Sequence, residues 1–191
     1  MLSHLKKYDI ILGSGSPRRQ ELLKGLDIDF RIELKETDET YPDSLVGVDI
    51  PTYVAQLKAD AYTLNDNSLL ITADTIVWLE RKVYGKPKDR EDAKRILSKL
   101  SGKSHQVITG MCLKTKQRKR VFHVITEVYF SRFTEEEIDY YLDNYKPYDK
   151  AGAYGVQEWI GFIGVERIEG SYYNVMGLPI QRLYSELKNW K

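Results

Sequence analysis

The segment Tyr8–Leu23, YDIILGSGSPRRQELL, passes from an apolar run through glycines and serines to two adjacent arginines. Tyr8–Leu12 reads as a short buried strand bounded by a turn. Leu22, Leu23 and Leu26 recur at helical spacing, which predicts a helix from Arg18 to Leu26. Pro17 suits the first turn of that helix because it has no amide hydrogen to lose there. A strand, a tight turn and a helix N-terminus aim backbone amides and the positive end of the helix dipole at one point. Ser14 and Ser16 add hydroxyl donors, and the guanidinium groups of Arg18 and Arg19 match phosphate geometry. The turn is a candidate anion site, with an ordinary N-cap and a solvated arginine pair as the competing reading. It matches neither GxxxxGK[ST] nor GxGxxG.

Beyond this turn, Ile28–Leu34 alternates like a strand, and the polar run Lys35–Gly47 reads as a loop. Tyr53, Val54, Leu57, Ala61 and Leu64 set a helix over Pro51–Leu64. Ser68–Leu79 reads as a buried strand interrupted at Thr72–Thr75, returning as a hairpin over Arg81–Val83. Ala93, Ile96, Leu97 and Leu100 lie on one face of a helix over Arg90–Leu100 that Ser101-Gly102 closes. His105–Lys114 and Arg120–Phe130 form a long hairpin about a polar turn. Thr134 and Glu137 make a capping box for a helix reaching about Asn144. Gly152–Gly170 is expected to be loop and strand, and Leu178–Leu187 a final helix. Interleaved helices and strands without repeats or a linker predict an α/β fold with a mixed sheet, one domain over 1–191.

Lysine and arginine total 29 against 28 acidic residues, a net charge of +1, so general electrostatic binding to nucleic acid is not expected. Any phosphate site must come from placement. The single cysteine, Cys112, excludes an internal disulfide and the multi-cysteine zinc patterns, and its strand context reads as a buried small apolar residue. The apolar run near the N-terminus is too short for a signal peptide or membrane span, which points to a reducing cytoplasm. His4, His105 and His123 lack metal-ligand spacing and read as structural.

Several polar islands remain. Asp74, within Ala73-Asp74-Thr75, is a carboxylate in apolar surroundings, where a cation, donors or a metal is the usual partner; a structural Asp capping a turn at the strand end is the competing reading. In isolation Lys58, Lys86 and Glu39 read as solvated surface or loop charges. Asp149–Gln157 and Gly170–Pro179 combine glycines with polar side chains; Gln157 offers a paired donor and acceptor suited to an amide edge of a base, and turn chemistry around a folded edge is the competing reading.

Together these islands resemble the Maf family of nucleoside triphosphate pyrophosphatases. The resemblance rests on Ser14–Arg19 with Glu21-Leu22-Leu23, Ala73-Asp74-Thr75, Gly85-Lys86-Pro87, and Leu100-Ser101-Gly102 with His105. It continues through Asp149–Gly155 with Gln157 and Gly170–Pro179, in family order over most of the chain. It implies an inosine-triphosphatase-like α/β fold: a long mixed sheet with flanking helices and two lobes around a central cleft. It also implies hydrolysis between the α and β phosphates, giving a nucleoside monophosphate and pyrophosphate, with Mg²⁺ or Mn²⁺, in a cytoplasmic homodimer.

Within the family, Arg18, Thr75 and Gln157 stand where the branch acting on dTTP and UTP carries Arg, Thr and Gln. The sister branch acting on 7-methyl-GTP differs at all three positions. Modified pyrimidine triphosphates are further candidates. The resemblance implies Asp74 as the base, Glu39 and Asp74 as metal ligands, and Ser14, Ser16, Arg18, Arg19, Lys58 and Lys86 around the phosphates. Arg18, Thr75 and Gln157 would select the substrate. Gly13 and Val156 depart from the usual Ala and Ile, and Glu158-Trp159-Ile160 replaces a smaller, glycine-rich stretch. The rival readings are a non-catalytic nucleotide-binding regulator of septum formation and a nucleic-acid-binding module.

Overall fold

The computed structural model describes residues 2–190. In chain order the elements are β1 (Asp9–Leu12), α1 (Pro17–Lys24), β2 (Arg31–Ile32), α2 (Asp49–Asp60), β3 (Ser68–Leu79), β4 (Lys82–Tyr84) and α3 (Arg90–Leu100). They continue as β5 (Ser104–Lys114), β6 (Lys119–Phe130), α4 (Glu135–Tyr145), α5 (Trp159–Gly164), β7 (Val165–Glu169), α6 (Tyr172–Val175) and α7 (Ile180–Lys188). The strands form a mixed sheet in the order β2-β1-β3-β5-β6-β7, with β4 antiparallel to β3. β1 is parallel to both β2 and β3, and β7 is antiparallel to β6. No helix among the described residues is long and apolar enough to cross a membrane.

The chain divides into two compact units whose boundaries fall within β3, β5 and β6. The first unit comprises the residues up to Asp74, Thr109–Val124, and those from Gly177 onward. Its central strands β1, β3 and β5 are buried on both faces within this unit, which is why they are written as largely apolar runs. Ile10, Leu12, Leu69, Ile71, Met111 and Leu113 pack on one side with Leu23, Leu183, Leu187 and Trp190. Their neighbours Ile11, Leu70 and Cys112 pack on the other with Ala55, Ala59 and Tyr62. Cys112 is buried as expected, and burial pushes its thiol up to about 12, so it stays protonated.

The second unit comprises Thr75–Ile108 and Ile125–Met176. The apolar faces of α3 (Ala93, Ile96, Leu97, Leu100) and α4 (Ile138, Tyr141, Leu142) share a core with Val77, Val107, Val128, Phe130, Tyr154 and Ile160. The capping box at Thr134 is formed: its Oγ1 accepts from Glu137 N at 3.2 Å, and Glu137 Oε2 accepts from Thr134 N at 2.8 Å.

Four local expectations are corrected. β3 is continuous through Thr72–Thr75 because both polar side chains of the first unit, Thr72 and Asp74, find partners (described below). β2 shrinks to two residues at the sheet edge, where Ile32 is exposed rather than turned into a core. α2 begins at Asp49 and ends at Asp60, before the predicted Leu64. Trp159–Gly164, WIGFIG, folds as a helical turn although its glycines and β-branched isoleucines favour strand or coil. Burial of Ile160 in the second core outweighs that propensity.

His105 is structural, and its burial has a measurable consequence. Its Nε2 lies 2.8 Å from the Tyr154 hydroxyl, and burial lowers its pKa from 6.5 to about 3. The unfolded chain therefore binds a proton below about pH 6.5 that the native state refuses, so stability falls as pH drops through that window. The slope is at most ~1.4 kcal/mol per pH unit. Carboxylates held low by ion pairs, such as Asp139 beside Lys94, add their loss only nearer their own unfolded range around pH 4. Denaturant midpoints measured between pH 7 and 5 are expected to decline in the native protein and to flatten in His105→Gln; equal slopes would assign the decline elsewhere.

Candidate active site

The turn after β1 is shaped by close packing. Gly13 N donates to Ile71 O at 2.9 Å, keeping the exit of β1 beside β3. A Cβ at Gly13 would lie 2.9 Å from both the Tyr62 hydroxyl and Thr72 Cγ2, and that hydroxyl is fixed by donating to Glu33 O at 2.6 Å. The missing side chain at Gly13 is thus matched by Tyr62, which fills the space.

Ser14 is buried, and its Oγ accepts from Ser16 N at 3.3 Å and from Arg19 Nη1 at 3.4 Å. Ser16 occupies the N-cap of α1 without a side-chain capping bond, so the ordinary N-cap reading does not describe the turn. Arg19 braces the surrounding backbone. Its Nη1 donates to Ala73 O and its Nε to Gly177 O, each at 2.8 Å. Burial lowers the guanidinium pKa, Asp74 opposes that shift, Arg18 adds to it, and Glu39 opposes it. Arg18, Glu39 and Asp74 are therefore all within electrostatic reach of one guanidinium, which remains a cation at any physiological pH.

The carboxylate of Asp74 is organised by α2. Thr72 and Asp74 project from the same face of β3 because strand side chains alternate. Thr72 Oγ1 donates to Ala55 O at 2.6 Å, docking α2 on that face. One helical turn on, Lys58 Nζ reaches Asp74 Oδ1 at 2.9 Å and Glu39 Oε2 at 3.0 Å. The Lys58 and Asp74 side chains are each only 17% exposed, so water screens this pair far less than a surface salt bridge. Glu39, brought in from the long loop, is half exposed.

Two carboxylates that converge on one ammonium provide the oxygen donors that Mg²⁺ takes, and such sites are completed by substrate phosphate and water rather than by a full protein cage. Among the described residues no group of three or more His, Cys, Asp or Glu is gathered for a metal. The Glu39–Asp74 pair fits a divalent ion carried jointly with a phosphate ligand.

The remaining predicted residues belong to the second unit. Thr75 is half-buried on β3. Lys86 is exposed just past β4 and lines a cavity of about 210 Å³ with Lys82, Arg95 and Lys99. Gln157 is half-buried, and its Oε1 is fully buried with no hydrogen-bond partner among the described residues. In the Gly170–Pro179 stretch, Asn174 is a structural tie. It is fully buried, and its Nδ2 donates to Val107 O and Thr126 Oγ1, both at 3.0 Å.

The first unit thus gathers Ser14, Arg18, Arg19, Glu39, Lys58 and Asp74, with Ser16 in the same turn. Sequence reasoning missed the carbonyls of Ala73 and Gly177 as anchors for Arg19, since any residue type supplies a carbonyl. It also missed Tyr141, Lys150 and Glu158 beside Gln157 (described below). Lys150 lies within the glycine-rich stretch Asp149–Gln157, whereas no local motif in the sequence marks Tyr141.

The fold has a solved counterpart: a structure of the Staphylococcus aureus Ham1 protein matches 93% of this chain and 99% of its own, with a TM-score of 0.54 at 16% identity. The family is closer still in sequence, for the model described as Maf-like protein matches residues 9–190. A relative from Parabacteroides distasonis named dTTP/UTP pyrophosphatase is 58% identical over the full length of both chains. One from Phocaeicola vulgatus with the same name is 59% identical, covering 98% of this chain and 99% of its own. The chain belongs to the Maf family.

Proposed function

We propose that this protein is a nucleoside triphosphate pyrophosphatase that hydrolyses dTTP and UTP to the nucleoside monophosphate and pyrophosphate. The observation that carries the reading is the shared ammonium of Lys58 between Asp74 and Glu39, braced by Arg19 through the Ala73 carbonyl. The full-length similarity to proteins named dTTP/UTP pyrophosphatase supports it and supplies the substrate class.

The chemistry is attack of water on a phosphorus surrounded by negative charge, so neutralisation and positioning dominate. Asp74 orients the water and accepts its proton; the water oxygen bonds to phosphorus as the α–β bridging bond breaks and pyrophosphate departs. Lys58, with Ser14, Ser16, Arg18 and Arg19 of the opening turn, offsets the phosphate charge, and Lys86 contributes a further cation. A divalent ion held by Glu39 and Asp74 would supply additional neutralisation of the phosphate oxygens. Thr75, Gln157 and Arg18 select the substrate. We take the working state to be a cytoplasmic homodimer.

The test is pyrophosphate release from a panel of nucleoside triphosphates with Mg²⁺ and with Mn²⁺. Release from dTTP and UTP at rates at least ~10-fold above those for purine triphosphates is expected, and chelation should abolish it. Binding without release, under either metal, would favour the regulatory reading instead.

A further inference from the structure

Gln157 sits in a turn that is tied down from several directions. Glu158 N donates to Gly155 O at 3.0 Å, closing a four-residue turn with Val156 and Gln157 at its centre. Gly155 N in turn donates to the Tyr141 hydroxyl at 3.0 Å. The same hydroxyl donates to Glu158 Oε2, so one buried phenol holds both ends of the turn. Glu158 Oε1 lies 3.0 Å from Lys150 Nζ, which also pairs with Asp149 Oδ1 at 2.8 Å and is itself buried. A Cβ at Gly155 would come within 2.7 Å of the Glu158 carboxyl carbon, so the carboxylate lies directly over the turn. Burial, with Glu158 as the next cause, raises the Tyr141 pKa, keeping the phenol protonated as the donor this geometry needs.

The turn packs Val156 into the second core and leaves Gln157 half-buried, with its carbonyl oxygen buried and without a donor among the described residues. We infer that Tyr141, Glu158 and Lys150 are positioning residues for base selection, holding the Gly155–Glu158 turn so that the Gln157 amide meets an incoming pyrimidine in one preset place. The inference rests on the reading above of dTTP and UTP as substrates. Uracil and thymine carry an N3–H between two carbonyls, which an amide satisfies by accepting from N3–H and donating to a neighbouring carbonyl. Cytosine presents a bare N3 and an amino group, and demands the reverse arrangement. A turn fixed before binding charges the ligand no ordering entropy, and a mispaired buried amide penalises the wrong base.

The experiment compares kcat/KM for UTP and CTP in the wild type, Tyr141→Phe, Glu158→Ala and Glu158→Gln, each also in a Gln157→Ala background, alongside inhibition by inorganic triphosphate. Tyr141→Phe and Glu158→Ala are expected to lower the UTP-over-CTP ratio by about 10-fold, mainly through KM, with inhibition by triphosphate unchanged. Glu158→Gln retains an acceptor for the Tyr141 hydroxyl and should keep the ratio within ~3-fold of wild type. With Gln157 already truncated, Tyr141→Phe should change the ratio no further, because it acts through that side chain.

A wild type that does not prefer UTP would overturn the substrate reading and this inference together. A wild-type preference that survives both Tyr141→Phe and Glu158→Ala overturns the inference alone. So does an equal fall in turnover of UTP and CTP, or an effect that persists in the Gln157→Ala background. Should Tyr141→Phe not fold, Glu158→Ala carries the same comparison from the other end of the hydrogen bond.

Discussion

Asp74→Asn is expected to lower kcat for dTTP and UTP by ~10²-fold or more while leaving the fold intact. The substitution preserves the shape of the side chain and an oxygen for Lys58 Nζ, which sits 2.9 Å from Asp74 Oδ1. What it removes is the capacity to accept a proton. Turnover should therefore collapse while thermal stability stays near that of the wild type, a separation that loss of a purely structural ion pair would not produce. Steady-state kinetics with a thermal-melting control check both effects, and a variant of undiminished turnover would exclude Asp74 as the base.

Lys58→Met addresses the other half of the pair. Methionine keeps much of the stem volume and removes the charge, leaving Asp74 and Glu39 facing each other with no ammonium between them. Turnover should fall ~10-fold or more, because a fixed cation beside the phosphates is lost. The same change frees both carboxylates from the ammonium that engages them at 2.9 and 3.0 Å. Half-saturating Mg²⁺ should therefore move to lower concentration even as kcat drops. Titrating Mg²⁺ against rate in the wild type, Lys58→Met and Lys58→Arg separates these effects. Undiminished turnover in Lys58→Met would return Lys58 to a purely structural role.

Much of this arrangement is legible before folding because it is local. Leu22, Leu23 and Leu26 mark α1, the Thr134–Glu137 spacing marks the cap of α4, and the apolar run of β3 marks a strand buried on both faces. Each depends on residues within a few positions of one another, so periodicity and capping chemistry suffice. The helical turn at Trp159–Gly164 was not legible, since local propensity opposes it and burial of Ile160 stabilises it. Lys58 and Glu39 were likewise ordinary charges in the one-dimensional text. Their significance depends on Asp74, which is 16 residues from Lys58 along the chain and 2.9 Å away in space.

The residue order alone established a mixed α/β chain, an anion-friendly turn after the first strand, a carboxylate stranded in an apolar run, and membership of one family by motifs in series. Folding settled which charges share partners. Arg19 turns to the carbonyls of Ala73 and Gly177, Lys58 joins Glu39 to Asp74, and Tyr141 ties the two ends of the Gln157 turn. The reason is one of range. Hydrophobic periodicity is printed every two to four residues, whereas a buried ion pair or phenol bridge is selected by desolvation, which acts only once distant segments have excluded water from the same place.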